Sequence, residues 1–127
     1  MTVALVGFLA VHGLLHFAIW FPHSEPDPGK APPFHPDHST VLAAVSTPRT
    51  AVHQLSLVLA AGTAATYLLA AIAVALGVGW AAPVAVAAGL FGLLLKVLYF
   101  HRWLVFGAML DLAVLLAGTL GWPVNIP

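Results

Sequence analysis

Residues 10–21 read AVHGLLHFAIWF, an apolar stretch that is interrupted in its middle by His12 and His16. A spacing of four residues is close to one turn of an α-helix, so both imidazoles leave the same helix face, one above the other. Ionisable side chains inside a membrane-spanning helix almost always face the interior of a bundle or a water-filled cavity. The stretch therefore predicts a membrane helix with one polar face, and the remaining chain is interpreted as the bundle around that face.

The composition indicates a membrane protein and excludes several other classes. The 127 residues are 61% hydrophobic and 6% charged, with a mean hydropathy of +1.02, whereas soluble domains carry about 25% charged residues. Four basic residues and a net charge of zero do not form the basic patch that a nucleic-acid partner requires. Since the chain has no cysteine, any metal or cofactor must be held by histidine and carboxylate side chains.

Four segments have the length that a membrane crossing requires, about 20 helical residues for a hydrocarbon core of about 30 Å. They are predicted at residues 3–21, 49–76, 83–100 and 103–121. Pro48 and Pro83 are typical of a first helical turn, and Gly77 is typical of a helix end. No basic leader or cleavage pattern accompanies the first segment, so we expect a retained span rather than a signal peptide. The predicted fold is all-α, a single transmembrane domain over residues 1–127 that forms an up-down-up-down four-helix bundle.

The connection at residues 22–48 differs from the others, because it holds seven of the ten prolines and three of the four acidic residues. We expect a long, Pro-rich loop outside the lipid, irregular and partly polyproline-like. The basic residues lie on or near the side of this loop: Lys30, Arg49, Lys96 and Arg102. The positive-inside rule then predicts a multi-pass protein of the cell membrane with a cytoplasmic loop and both termini outside.

The four tryptophans give an independent indication of where the spans end, since Trp is enriched at membrane interfaces. Each lies at one end of a predicted span. Trp20 and Trp103 are expected on the side of the long loop, and Trp80 and Trp122 on the opposite side.

Polar residues are expected at two depths when the helical rise of about 1.5 Å per residue is counted from the loop-side ends of the spans. His16, His53 and Lys96 lie about 6–8 Å inside, and His12 and Asp111 lie about 13 Å inside. Each of them belongs to a polar or small stripe, while the other helix faces are rich in Ala, Val and Leu. Polar stripes converge inside membrane bundles. The sequence therefore predicts a buried polar layer made of His12, His16, His53, Lys96 and Asp111.

The histidines of this layer admit two kinds of cofactor. His12 and His16 have the spacing with which two imidazoles on one helix share a metal ion. His16 and His53, on two helices at similar depth, are instead an axial pair for haem b. The cofactor hypotheses are thus haem b or a divalent transition metal. The remaining interpretation is that neutral imidazoles hydrogen-bond to Ser56, Tyr67 or Asp111 and stabilise helix association.

Asp111 needs a partner or a proton, because a carboxylate near the bilayer centre costs a few kcal/mol. His12 is the partner at matching depth. Lys96 either reaches down to Asp111 or extends toward the lipid headgroups. A proton relay, a cation site, a counter-ion and a structural ion pair all remain open for this aspartate.

The loop offers a further hypothesis in His35-Pro36-Asp37-His38, with His23 upstream. His35 and His38 are ligands that Zn²⁺ or Cu²⁺ accepts; otherwise the loop is a solvated lid or a docking surface. No nucleophile is evident, because His53 and Ser56 lack both an orienting acid and oxyanion donors.

The functional prediction is a small, non-enzymatic integral membrane protein. We expect an accessory subunit of a larger membrane complex or a homo-oligomer in the lipid bilayer, in which the polar layer binds a ligand or cofactor or stabilises assembly. One alternative is a haem- or metal-binding subunit of a membrane redox complex. Another is a small proton-coupled transporter or channel.

Overall fold

The computed structural model describes residues 1–21 and 36–122, and all regular elements in this part of the chain are helices. In chain order they are α1 (Thr2–Trp20), α2 (Thr40–Ala44), α3 (Arg49–Leu76), α4 (Ala81–Leu98), a 3₁₀ turn (Arg102–Leu104) and α5 (Val105–Thr119). The all-α prediction is confirmed. With the 3₁₀ turn counted as the start of the last segment, each long helix begins and ends within two residues of a predicted segment.

The helix ends follow from local backbone chemistry. Gly77 ends α3 with a φ of 64°, a left-handed conformation that glycine adopts without a Cβ clash. The next residue, Val78, donates its backbone N–H to the carbonyl of Ala73. Pro83 was predicted to open α4, but α4 begins two residues earlier, at Ala81. Proline is tolerated within the first turn, because the N–H groups there have no intrahelical acceptor.

The long helices contact one another in chain order: α1 packs on α3, α3 on α4, and α4 on α5. Glycines set two of these close approaches. A Cβ added to Gly13 of α1 would lie 2.7 Å from the Tyr67 Cβ of α3, and one added to Gly118 of α5 would lie 2.8 Å from Val86 of α4. Small residues at such positions let helix backbones approach closely, as they do in membrane bundles.

The apolar interior is divided into two clusters of buried side chains. One contains Leu9 and Ala88, and the other contains Trp20 and Leu95. On α1, His12 and His16 lie between Leu9 and Trp20, so polar side chains occupy the level between the two clusters. The helical packing thus places the polar residues in the middle of the bundle along its length.

Four helical segments are long and apolar enough to cross a membrane, judged by length and composition. They are Thr2–Trp20, Arg49–Leu76, Ala81–Leu98 and Arg102–Thr119, with mean hydropathies between 1.5 and 2.1. Large apolar side chains are exposed on the outside of all four, among them Phe8, Leu69, Phe91, Val97 and Phe106. Exposed apolar surface of this extent is typical of proteins that face lipid.

The tryptophans differ in their surroundings. Trp20 is 1% exposed and packs edge-on against Tyr99, with 5.4 Å between ring centroids. Trp80 and Trp103 are exposed, as expected of residues at a membrane surface. Trp20 therefore contributes to the core of the bundle.

Part of the long connection folds onto the bundle. The Ser39 hydroxyl accepts a hydrogen bond from the Leu42 N–H at 3.1 Å, which caps α2, and donates one to the carbonyl of Leu98 at the end of α4. The connection was predicted to be irregular, but residues 40–44 form a helix because Ser39 is a favourable N-cap. The polyproline-like part of the prediction falls mainly on residues 22–35, which lie outside the described residues.

Candidate functional site

Asp111 is the centre of the polar level and is fully buried on α5. Its Oδ1 lies 2.9 Å from His12 Nε2 and accepts a hydrogen bond from the Tyr67 hydroxyl at 2.7 Å. Its Oδ2 accepts one from the Lys96 ammonium at 2.5 Å. The donors come from α1, α3 and α4, so the carboxylate joins its own helix to the other three long helices. The expected pairing of Asp111 with His12 is therefore observed, and Lys96 takes the direction toward Asp111, one of the two that the sequence left open.

His16 is held one turn from His12 and completes this set of residues. Its Nδ1 lies 2.9 Å from the His12 carbonyl oxygen, and because a carbonyl only accepts, Nδ1 carries the hydrogen. The lone pair of the neutral ring is then on Nε2, which lies 2.6 Å from Lys96 Nζ and 3.8 Å from Asp111 Oδ2. We call His12, His16, Tyr67, Lys96 and Asp111 the Asp111 cluster.

The Asp111 cluster is electrically balanced and internally satisfied. One ammonium and one carboxylate cancel when both imidazoles are neutral. Within residues 1–21 and 36–122, every fully buried side-chain nitrogen and oxygen has a hydrogen-bond partner. Burying a charge is costly unless it is paired and its remaining hydrogen-bonding positions are filled. This arrangement meets both conditions inside a bundle with an apolar exterior.

The Lys96 side chain is 6% exposed, so it does not extend toward the headgroups, the alternative that the sequence left open. Its ammonium is directed inward because the Asp111 carboxylate lies within reach on the neighbouring helix. If Lys96 extended outward, the Asp111 carboxylate would stay buried without a cation, a state that is strongly destabilising.

Two glycines make room for the charged groups. A Cβ at Gly92 would lie 2.5 Å from Asp111 Cγ, and one at Gly107 would lie 2.7 Å from Lys96 Cε. Glycine in a membrane helix is typical of close helix packing, so residue type alone does not assign either glycine to the site. The signal that links them to the site is their spacing, since Gly92 precedes Lys96 and Gly107 precedes Asp111 by four residues, which places each on the same helix face as its charge.

Tyr67 was not included in the predicted polar layer and was named only as one hydrogen-bond partner for neutral imidazoles. Besides its hydrogen bond to Asp111, its ring stacks on His16 with 5.7 Å between centroids and meets His12 edge-on at 4.8 Å. Phe8 stacks on the other side of His12 at 5.6 Å. These rings fix the orientation of both imidazoles.

The structure does not bring His53 to the Asp111 cluster. His53 is half-buried and lies fourteen residues before Tyr67 on α3, a distance of about 21 Å along the helix. The depth count assumes that the loop-side ends of the first two spans, Phe21 and Arg49, lie at one level, whereas Gly13 packs against Ala64 and Tyr67. The first turns of α3 therefore extend beyond α1. The haem pair His16–His53 stays a prediction that this placement does not support.

The loop histidines add nothing to the cluster within the described residues. His38 is exposed and Asp37 half-buried, while His23 and His35 lie outside the part of the chain that the structure describes. The metal site formed by His35 and His38 stays a prediction.

His12, His16 and Asp111 form a set of candidate metal ligands, since one ligand atom from each lies within 4.8 Å of the others.

Comparison of the chain with protein-family models, with curated proteins and with solved structures gave no match. The chemistry of the cluster is therefore the basis for a functional assignment. The arrangement can join helices through a neutralised charge pair, or hold a cation between two imidazoles and a carboxylate.

Proposed function

We propose that this chain is a small, non-enzymatic integral membrane protein in which the Asp111 cluster stabilises the assembly of its four long helices. The observation that carries the proposal is that one buried carboxylate is bonded to side chains from α1, α3 and α4. In lipid, helices gain little from apolar contact with one another, because the lipid tails are equally apolar. Polar contacts between helices then determine which helices associate.

The proposed arrangement is an up-down-up-down bundle with the connection at residues 22–48 outside the lipid. Contacts between α4 and α5 support it, because later residues of α4 meet earlier residues of α5. Val86 lies against Gly118, Gly92 against Asp111, and Lys96 against Gly107. The same opposed direction for α1 and α3 would bring Trp20 toward the start of α3.

The proposed location is the cell membrane, with the long connection cytoplasmic and both termini outside. Arg49 and Arg102 are exposed at the end of the bundle that carries this connection. Lys96 is neutralised inside the bundle and contributes no charge to that surface, so the orientation rests on these arginines and Lys30. A cysteine introduced at exposed Val45 tests this orientation. Labelling of that cysteine from outside intact cells would show that the connection lies outside, which contradicts the proposal.

The proposed partner is another membrane protein, either a second copy of this chain or a larger complex for which this chain is an accessory subunit. The cluster uses its own donors and acceptors internally, so the exposed apolar faces of the helices are the surface available to lipid or to a partner. Cross-linking in native membranes followed by mass measurement distinguishes a homo-oligomer from a larger complex.

The proposal is tested by Asp111→Asn and Lys96→Met, with exposed Arg102→Met as control. We expect both cluster variants to lose resistance to unfolding in mild detergent, while Arg102→Met does not. The unsubstituted protein is expected to show neither a Soret band nor proton flux in liposomes. A Soret band that is lost in His53→Leu would contradict the proposal and indicate a haem-binding subunit. A pH-dependent proton flux that is lost in Asp111→Asn would contradict it and indicate a proton-coupled transporter.

A further inference from the structure

We propose that His12, His16 and Asp111 form a site for one divalent transition-metal ion, and that the Lys96 ammonium competes with the metal for it. The function proposed above requires no metal, so this inference goes beyond it. It concerns the occupant of the cluster, whereas the proposed function concerns the helices that the cluster joins.

The donor set is that of a transition-metal site. Two ligands bound to one ion at about 2.0–2.2 Å lie roughly 3–3.5 Å apart. His12 Nε2 and Asp111 Oδ1 are 2.9 Å apart, and His16 Nε2 and Asp111 Oδ2 are 3.8 Å apart. Two imidazoles and one carboxylate suit Zn²⁺, Fe²⁺ or Co²⁺, whereas Mg²⁺ and Ca²⁺ prefer all-oxygen sites.

The orientation of His16 provides an independent argument. A metal-binding histidine almost always donates its other ring N–H to a carbonyl or carboxylate, which directs the lone pair at the metal. His16 does this through Nδ1 and the His12 carbonyl at 2.9 Å. His12 now directs Nε2 at a carboxylate oxygen, and a shift of its proton to Nδ1 gives the tautomer that ligates.

The Lys96 ammonium already bonds to two of the three groups that would ligate the metal. Its Nζ lies 2.6 Å from His16 Nε2 and 2.5 Å from Asp111 Oδ2. Removing the ammonium leaves the buried carboxylate without a cation, a state that is strongly destabilising. A divalent ion between His12, His16 and Asp111 would restore the positive charge. Replacement of Lys96 by an uncharged residue should therefore strengthen metal binding.

The experiment uses Co²⁺ as the probe, with full-length protein purified in mild detergent and freed of metal by a chelator. Lys96→Met is expected to bind a single Co²⁺ per chain about tenfold tighter than the unsubstituted protein, which corresponds to about 1.4 kcal/mol. Bound Co²⁺ should produce visible absorption bands and raise the unfolding temperature. The double variant Lys96→Met/His16→Leu should lose both effects, whereas the matched control Lys96→Met/His53→Leu should keep them.

Several results would overturn the proposal. These are a folded Lys96→Met protein that binds no Co²⁺, binding that persists in Lys96→Met/His16→Leu, and binding that disappears in Lys96→Met/His53→Leu. If Lys96→Met does not fold without metal, Lys96→Gln replaces it. If neither variant folds, the test uses the unsubstituted protein, which must bind Co²⁺, and its His16→Leu variant, which must not. Absence of Co²⁺ binding by the unsubstituted protein then rejects the site. Each of these results leaves the proposed role in assembly to be judged by its own unfolding measurements.

Discussion

The Lys96 ammonium and the Asp111 carboxylate meet at 2.5 Å between α4 and α5, and their side chains are 6% and 0% exposed. The two residues are only fifteen positions apart, so the pair closes a helical hairpin. Since His12 and Tyr67 bind the other carboxylate oxygen, the same pair fixes that hairpin to α1 and α3. The consequences can be measured residue by residue.

The charge pair should show strong coupling. Lys96→Met or Asp111→Leu alone leaves one buried charge unpaired, and each is expected to lower the free energy of unfolding by about 3–5 kcal/mol. The double variant removes both charges and should recover part of that loss, since His12 and Tyr67 still lack the acceptor that Asp111 provided. Equilibrium unfolding of the three variants in mixed detergent gives the coupling energy, and simple additivity of the two single losses would contradict the buried pair.

The Tyr67 hydroxyl should contribute more to the free energy of unfolding than a comparable buried hydroxyl does. It donates to a carboxylate, whereas the Tyr99 hydroxyl donates to the Val52 backbone carbonyl. Tyr67→Phe is expected to lower the free energy of unfolding by about 1.5–3 kcal/mol, and the matched control Tyr99→Phe by about 0.5–1.5 kcal/mol. An equal or reversed loss, measured in the same detergent, would argue against an ionised Asp111.

Gly92 should not tolerate a methyl group. A Cβ there would lie 2.5 Å from Asp111 Cγ, and overpacking of this kind costs about 1–3 kcal/mol. Gly62 in α3 has no atom within 4 Å of the corresponding position, so Gly62→Ala should be neutral or stabilising by up to about 1 kcal/mol. Thermal unfolding of the two variants checks the difference, and a Gly92→Ala protein as stable as Gly62→Ala would place Asp111 elsewhere.

Ser39 should hold α2 on the bundle without contributing to the cluster. Ser39→Ala removes both the cap of α2 and the bond to the Leu98 carbonyl, and loss of a cap costs about 1 kcal/mol. Amide hydrogen exchange at residues 40–44 should accelerate, while exchange around Asp111 stays unchanged. Thr40→Ala, at an exposed position of the same helix, is the control, and unchanged exchange in Ser39→Ala would show that other contacts hold α2.

The sequence predicted the helices closely because helix length, apolar content and end-marking residues such as Pro48 and Gly77 are local properties of the chain. It also predicted the bond between His12 and Asp111, since depth counting from nearby span ends works for helices of ordinary length. It placed His53 at the level of His16 because α3, with 28 residues, was assumed to begin at the same depth as the end of α1. The offset between two helices depends on side-chain packing at Gly13, which no local pattern reveals.

The sequence left the direction of Lys96 open for a related reason. A lysine near a helix end gains by reaching water and also gains by pairing with a carboxylate, and only the position of the neighbouring helix decides between them. Tyr67 was predicted only as one hydrogen-bond partner for the imidazoles, whereas its hydroxyl bonds to Asp111 and its ring packs on both histidines.

The two glycines beside the charges determine the register between α4 and α5. Gly92 on α4 faces the Asp111 carboxylate on α5, and Gly107 on α5 faces the Lys96 side chain on α4. A slip of one helical turn, about 5.4 Å, would put Ala88 or Lys96 opposite Asp111 in place of Gly92. With Ala88 there, the ammonium moves away from the carboxylate and both charges are unpaired in an apolar medium. With Lys96 there, its side chain fills the space that Gly92 leaves for Asp111. The hairpin therefore has a single favourable axial alignment, which is set by one glycine and one charged residue on each of the two helices.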